Sequence, residues 1–149
     1  MKNSQQRPKV VIDAGIAIRL VLPLSPTKTD VVAWFSDLVE NKVRFTAPEI
    51  WIPEIVSVIR RLVFNRMIEA EEAKSAIEDL FSLETEIVGS DLQLCQKALR
   101  WSNLLGQSKA YDAFYMAVAE RLNADFWTAD KRLFNGAKQL GVDWIRLFE

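Results

Sequence analysis

Apolar residues along this chain alternate between two spacings, short unbroken runs and sets that recur at three and four. Lys9-Val10-Val11-Ile12 is a run of the first kind, as a strand carries when both its faces are covered. Ala14 to Leu22 reads as a short helix ended by Pro23 and Pro26. Thr27 or Thr29 is the expected cap of the next helix, which runs to Glu40 with Val32, Phe35, Leu38 and Val39 on its buried side. Val43 to Pro48 predicts a second strand. Pro53 to Arg66 predicts a helix buried through Ile55, Val58, Ile59, Leu62 and Val63.

The second half repeats the theme. Glu69 to Leu83 is a predicted helix with Ala70, Ala73, Ile77, Leu80 and Phe81 inward, and Glu84 to Val88 a strand closed by Gly89. Ser90 or Asp91 caps a helix that reaches Leu105 and stops at Gly106. A further helix carries Asp112 in its first turn, a turn follows at Asn123-Ala124, and Phe126 to Ala129 is a strand that stops on Asp130. Lys131 to Leu140 is the last helix, and Val142 to Leu147 the last strand. This alternation predicts one three-layer α/β/α domain over residues 9–149, with a mainly parallel sheet and a flexible polar tail at 1–8.

Composition narrows the chemistry. The net charge of −1 supplies no general attraction for nucleic acid, so any such binding needs a local basic patch. The absence of histidine removes Ser-His-Asp and Cys-His catalysis and the usual zinc sites. Glycines at 15, 89, 106, 136 and 141 form neither a P-loop nor a dinucleotide fingerprint. The single cysteine, Cys95, has no disulfide partner within the chain, and its place among Leu92, Leu94 and Leu99 predicts a buried thiol in a reducing compartment. Asp13 and Arg19 interrupt the N-terminal apolar stretch and Pro23 breaks it, which argues against export or a membrane span and predicts a cytoplasmic protein.

Four acids carry the candidate chemistry. Asp13 and Asp130 each follow an apolar strand, while Glu54 and Asp112 fall in the first turns of helices. Each alone is explained by helix capping or by the positive end of a helix dipole. In an open parallel sheet, however, all four lie beside the edge where ligands gather. Two like charges 4 Å apart repel by about 4 kcal/mol at an effective dielectric near 20, so four carboxylates in one crevice call for a cation. Oxygen ligands without imidazole or thiolate favour Mg²⁺ or Mn²⁺, and the fitting reaction is metal-assisted hydrolysis of a phosphodiester. Thr128 is placed to hold a water or a phosphate oxygen, or simply to pack. Arg60, Arg61 and Arg66 form either a phosphate patch or a solvated helix face, and Trp51 either stacks on a base or fills the core.

The segments KVVIDAG, PEIWIPEIVSVI and AYDAFYMAVAERLNADFWTAD, with acids in the order Asp, Glu, Asp, Asp, resemble a PIN domain over residues 9–147, and in particular the VapC-type toxins of bacterial toxin–antitoxin pairs. The resemblance implies a Mg²⁺- or Mn²⁺-dependent ribonuclease that cuts RNA, is frequently a homodimer, and is inhibited by a small antitoxin covering the acidic crevice. It assigns Asp13 and Asp112 as principal metal ligands, with Glu54 and Asp130 ligating directly or through water. One departure stands out: Ala14-Gly15 follows Asp13 where the family often has a serine or threonine hydroxyl. The alternative is a PIN-like module that binds RNA or protein without cutting. A receiver or Asp-x-Asp phosphatase is disfavoured by the same Ala14-Gly15.

Overall fold

The strand that opens the chain becomes the middle of the sheet. In the computed structural model, which describes residues 8–22 and 28–149 (side chains at 28–30 excepted), β1 (Lys9–Ile12) pairs in parallel with β2 (Arg44–Pro48) on one side and β4 (Asp125–Thr128) on the other. β3 (Glu86–Val88) adds beyond β2 and β5 (Ile145–Leu147) beyond β4, giving the order β3-β2-β1-β4-β5 with every pairing parallel. Val11 and Ile12 are fully buried, as their unbroken apolar run requires. The predicted tail, apart from Pro8, lies outside the described residues, as do Pro23, Pro26 and Thr27.

Seven helices are described: α1 (Ala14–Val21), α2 (Lys28–Glu40), α3 (Trp51–Phe64), α4 (Ala70–Ser82), α5 (Leu92–Leu104), α6 (Tyr111–Leu122) and α7 (Lys131–Gln139). They cover both faces of the sheet. Successive strand residues point to opposite faces, and on β4 Phe126 stacks on Tyr115 of α6 while Trp127 meets Trp34 of α2. The predicted α/β/α layering therefore holds.

Several local expectations shift. α3 begins at Trp51, because Pro53 in a first turn sacrifices no helical hydrogen bond. Thr29 falls inside α2 rather than capping it. The buried side of α2 is Val31 with partly buried Trp34, Phe35 and Leu38, whereas Val32 and Val39 are exposed. On α4, Ala76 and Leu80 are buried while Ala70 and Phe81 face solvent. On α5 the inner stripe is Leu94, Ala98 and Trp101, leaving Leu92 and Leu99 exposed. Cys95 is exposed with them, correcting the expected buried thiol. Asn123 takes the left-handed conformation (φ 51°) that ends α6 and turns the chain into β4, as the sequence predicts.

Candidate active site

Where β1 ends, Asp13 caps α1: its Oδ1 accepts the Ile16 N–H at 2.9 Å. Its Oδ2 accepts from the neighbouring strand, taking the Thr128 hydroxyl at 2.6 Å and the Ala129 N–H at 2.9 Å. The same Thr128 oxygen accepts the Asp130 N–H at 3.0 Å, and Asp130 caps α7 by accepting from Arg132 and Leu133 at 2.9 and 3.1 Å. The end of β4 thus aims two carboxylates at once. For Asp13 and Asp130 the capping explanation is true, and it coexists with a place in the crevice.

Glu54 and Asp112 are different, since neither caps its helix. Glu54 Oε2 accepts the Tyr115 hydroxyl at 2.7 Å, and the buried Tyr115 ring lies nearly parallel to Phe126, 5.6 Å between centroids. Asp112, one turn before Tyr115, feels only burial and its acidic neighbours. All four acids line one cavity of about 320 Å³, together with Gly15, Tyr115, Phe126 and Leu133.

The electrostatics follow from that company. Burial pushes the Asp13 carboxyl above its ordinary value, the hydrogen bonds from Thr128, Ile16 and Ala129 pull it back, and nearby Asp130 pushes it up again, with a net rise. Glu54 is raised by burial first, against the Tyr115 hydrogen bond, with Asp112 and Asp13 adding to the rise. Asp112 is raised by burial, then by Asp130 and Asp13. Tyr115 is held firmly protonated by burial and by Glu54, so its hydroxyl remains a donor.

Two side chains do work that sequence reasoning did not assign. Thr128, expected either to pack or to hold a water or phosphate oxygen, spends its hydroxyl proton on Asp13. It supplies from β4 an orienting hydroxyl of the kind absent from Ala14-Gly15. At Gly15 a Cβ would come within 3.3 Å of Ala129 Cβ and 3.4 Å of Asp13 Oδ1, so a larger residue would press on the acid. Tyr115 was not singled out, although its position three after Asp112 puts both on one helix face. Trp51 is 1% exposed, which assigns it to the core rather than to base stacking. Arg60, Arg61 and Arg66 line neither this cavity nor the groove beside it.

The sequence profile of the PIN domain family matches residues 10–139. The chain belongs to the PIN domain family. Solved structures share the fold at low identity. PAE2754 from Pyrobaculum aerophilum superposes with a TM-score of 0.64 at 17% identity, covering 89% of this chain and 83% of that one. VapBC2 from Rickettsia felis, bound to a DNA fragment from its promoter, gives 0.65 at 13%, covering 95% and 99%. VapC20 from Mycobacterium tuberculosis, described as a sarcin-ricin loop cleaving toxin, gives 0.61 at 14%, covering 85% and 93%. No curated protein sequence matches.

The donors of this PIN domain suit a hydrated divalent ion. Among the described residues no three acids already form a metal cage. Mg²⁺-type ions do not demand one, because they keep several waters and use one or two carboxylates. Among the described residues no hydrogen bond reaches either oxygen of Asp112, and Glu54 and Asp130 each keep one oxygen free of them. Three acids with raised pKa values around one cavity are what an added cation would relieve. No helix among the described residues is long and apolar enough to cross a membrane.

Proposed function

We propose that this PIN domain is a cytoplasmic endoribonuclease dependent on Mg²⁺ or Mn²⁺, the toxin of a toxin–antitoxin pair. It acts on RNA through Asp13, Glu54, Asp112 and Asp130, forms a homodimer, and is restrained by a small antitoxin. The observation that carries this reading is one cavity lined by four carboxylates, of which Asp13, Glu54 and Asp130 accept only from uncharged donors among the described residues. The description of VapC20 as a sarcin-ricin loop cleaving toxin, and of another neighbour from Klebsiella pneumoniae as a toxin–antitoxin complex, supports the biological side.

A bound divalent ion supplies polarisation of the phosphate and a lowered pKa for the attacking water. The chain's own work is positioning. Three donors fix Asp13 in one orientation, and Tyr115 fixes Glu54, so both are set before substrate arrives. Asp112 and Asp130 line the same cavity, and among the described residues Asp130 Oδ2 and both Asp112 oxygens accept no hydrogen bond. Water would attack the phosphorus as the P–O bond to the departing ribose oxygen breaks and that oxygen takes up a proton, so no protein nucleophile is required.

The test is incubation of the purified, inhibitor-free chain with a mixed RNA pool in Mg²⁺, in Mn²⁺ and in chelator, beside Asp112→Asn. Metal-dependent cutting that disappears in the variant is the expected result. Cutting that survives chelator or Asp112→Asn would overturn the site assignment. A folded protein that cuts nothing would leave a module that binds without reaction.

A further inference from the structure

Beside the acidic cavity opens a second, larger groove of about 920 Å³. The two share a wall, because Asp112 and Asp130 line both. Beyond those acids the groove changes sign: Lys109 enters from the segment before α6, and Lys131 and Arg132 from the start of α7. All three are exposed, and among the described residues none has a carboxylate within ion-pair distance. The contrast with Lys97, Arg100, Arg121 and Arg146, each of which is paired with an acid, is direct.

Local stability does not explain the choice. Lys131 and Arg132 are the first two residues of α7, at the positive end of its dipole, where a cation is disfavoured. A residue that breaks a local rule without a local gain points to a task elsewhere. The task fits the substrate: a polyanion approaching a four-carboxylate crevice is repelled, and a chain of net charge −1 offers no long-range attraction to offset it. Three unpaired cations beside the crevice supply that attraction where it is needed.

We infer, resting on the nuclease reading above, that a single RNA strand leaves the acidic crevice along this groove with its phosphates on Lys109, Lys131 and Arg132. The volumes agree with a division of labour. Small-molecule pockets span roughly 300–1,000 Å³, so the acidic cavity is at the low end, matched to the reacting phosphate, and the groove near the high end, with room for flanking nucleotides. A flexible single strand can bend from one into the other across Asp112 and Asp130, and positively charged grooves that track a backbone are how such strands are commonly held. The arginines of α3 are a poor substitute. Arg60 and Arg61 lie roughly 9–10.5 Å beyond Glu54 along the helix axis and line neither cavity.

The test is binding of a fluorescein-labelled single-stranded oligoribonucleotide, read by anisotropy in chelator over a series of salt concentrations. The full chain is compared with its K109A/K131A/R132A variant and with R60A/R61A/K74A as a charge-matched control. Removing three phosphate contacts should weaken binding at least about tenfold and flatten log K against log salt by about 2, at roughly 0.7 per contact. The control should bind as the parent does. A groove variant that melts like the parent and keeps its affinity and salt slope would overturn the proposal, as would equal loss in the control or no binding by the parent. The two readings fail separately: a parent that cuts RNA while the groove variant binds it as tightly loses only the groove. A parent that binds through these residues but cuts nothing loses only the nuclease.

Discussion

Two groups of carboxylates in this molecule live by opposite rules. On the α5–α6 side, Glu120 is held by Lys97 at 2.7 Å, by Arg100 Nη2, which donates to both carboxylate oxygens, and by the Trp101 indole, and Asp91 is held by Arg121 at 2.6 Å. Burial would raise Glu120, yet Lys97 and Arg100 leave it below its ordinary value; Asp91 is lowered by Arg121 and the Leu94 N–H. In the crevice, burial and neighbouring acids raise Asp13, Glu54 and Asp112, and among the described residues only neutral donors touch the first two and none touches the third. The chain has 19 lysines and arginines, so cations are not scarce. Among the described residues none of them lines the crevice, and its charge is left without a cation there.

The two groups should respond to neutralisation with opposite signs. Asp112→Asn is expected to cut RNA cleavage by about 10²-fold or more, while raising the melting temperature in chelator because repulsion is relieved; lower stability would mean that Asp112 is structural. Thr128→Val takes away the hydroxyl that steers Asp13, and we expect about a 10- to 100-fold loss of activity, the scale seen for partners that orient ligands. Unchanged kinetics would show that Ile16 and Ala129 suffice. Glu120→Gln should do the reverse of Asp112→Asn, leaving cleavage intact and costing about 1 kcal/mol of stability in denaturant melts.

The smallest effect expected is in the pH dependence without divalent ions. The crevice acids hold protons in the folded state that the unfolded chain releases near 3.8 for Asp and 4.5 for Glu. Their contribution is therefore fully present below those values and declines as pH rises through the raised ones. Asp91 and Glu120 act in the opposite direction, losing their contribution as pH falls below the ordinary range. Melting temperatures in chelator should fall from mildly acidic to neutral pH, and Asp112→Asn should flatten that fall. A curve that climbs steadily to neutrality would contradict the raised values.

Much of this was legible because period and punctuation agree. Five short strand-like runs and their intervening helices predict the parallel sheet, and the acids that follow β1 and β4 could be placed at one edge before any contact was known. What escaped depends on three-dimensional neighbours. α2 and α5 carry apolar residues on more than one side, so spacing alone does not choose between Val31 and Val32, or exclude Leu92, Cys95 and Leu99 from the core. The Tyr115–Glu54 bond joins residues 61 apart, and Lys109 meets Lys131 and Arg132 only because α6 and α7 start beside the same groove. Helix capping was an accurate account of Asp13 and Asp130, but an incomplete one.

The hydrogen bond from Thr128 to Asp13 spans 115 residues of sequence. Its formation requires the first strand to wait in the growing chain until the fourth is available beside it, and pairings at such separation are slow to form. Competence for chemistry is therefore a property of the finished fold, acquired late. An N-terminal fragment that stops before Thr128 lacks both this bond and Asp130, and so lacks the assembled four-acid crevice, however well its helices form.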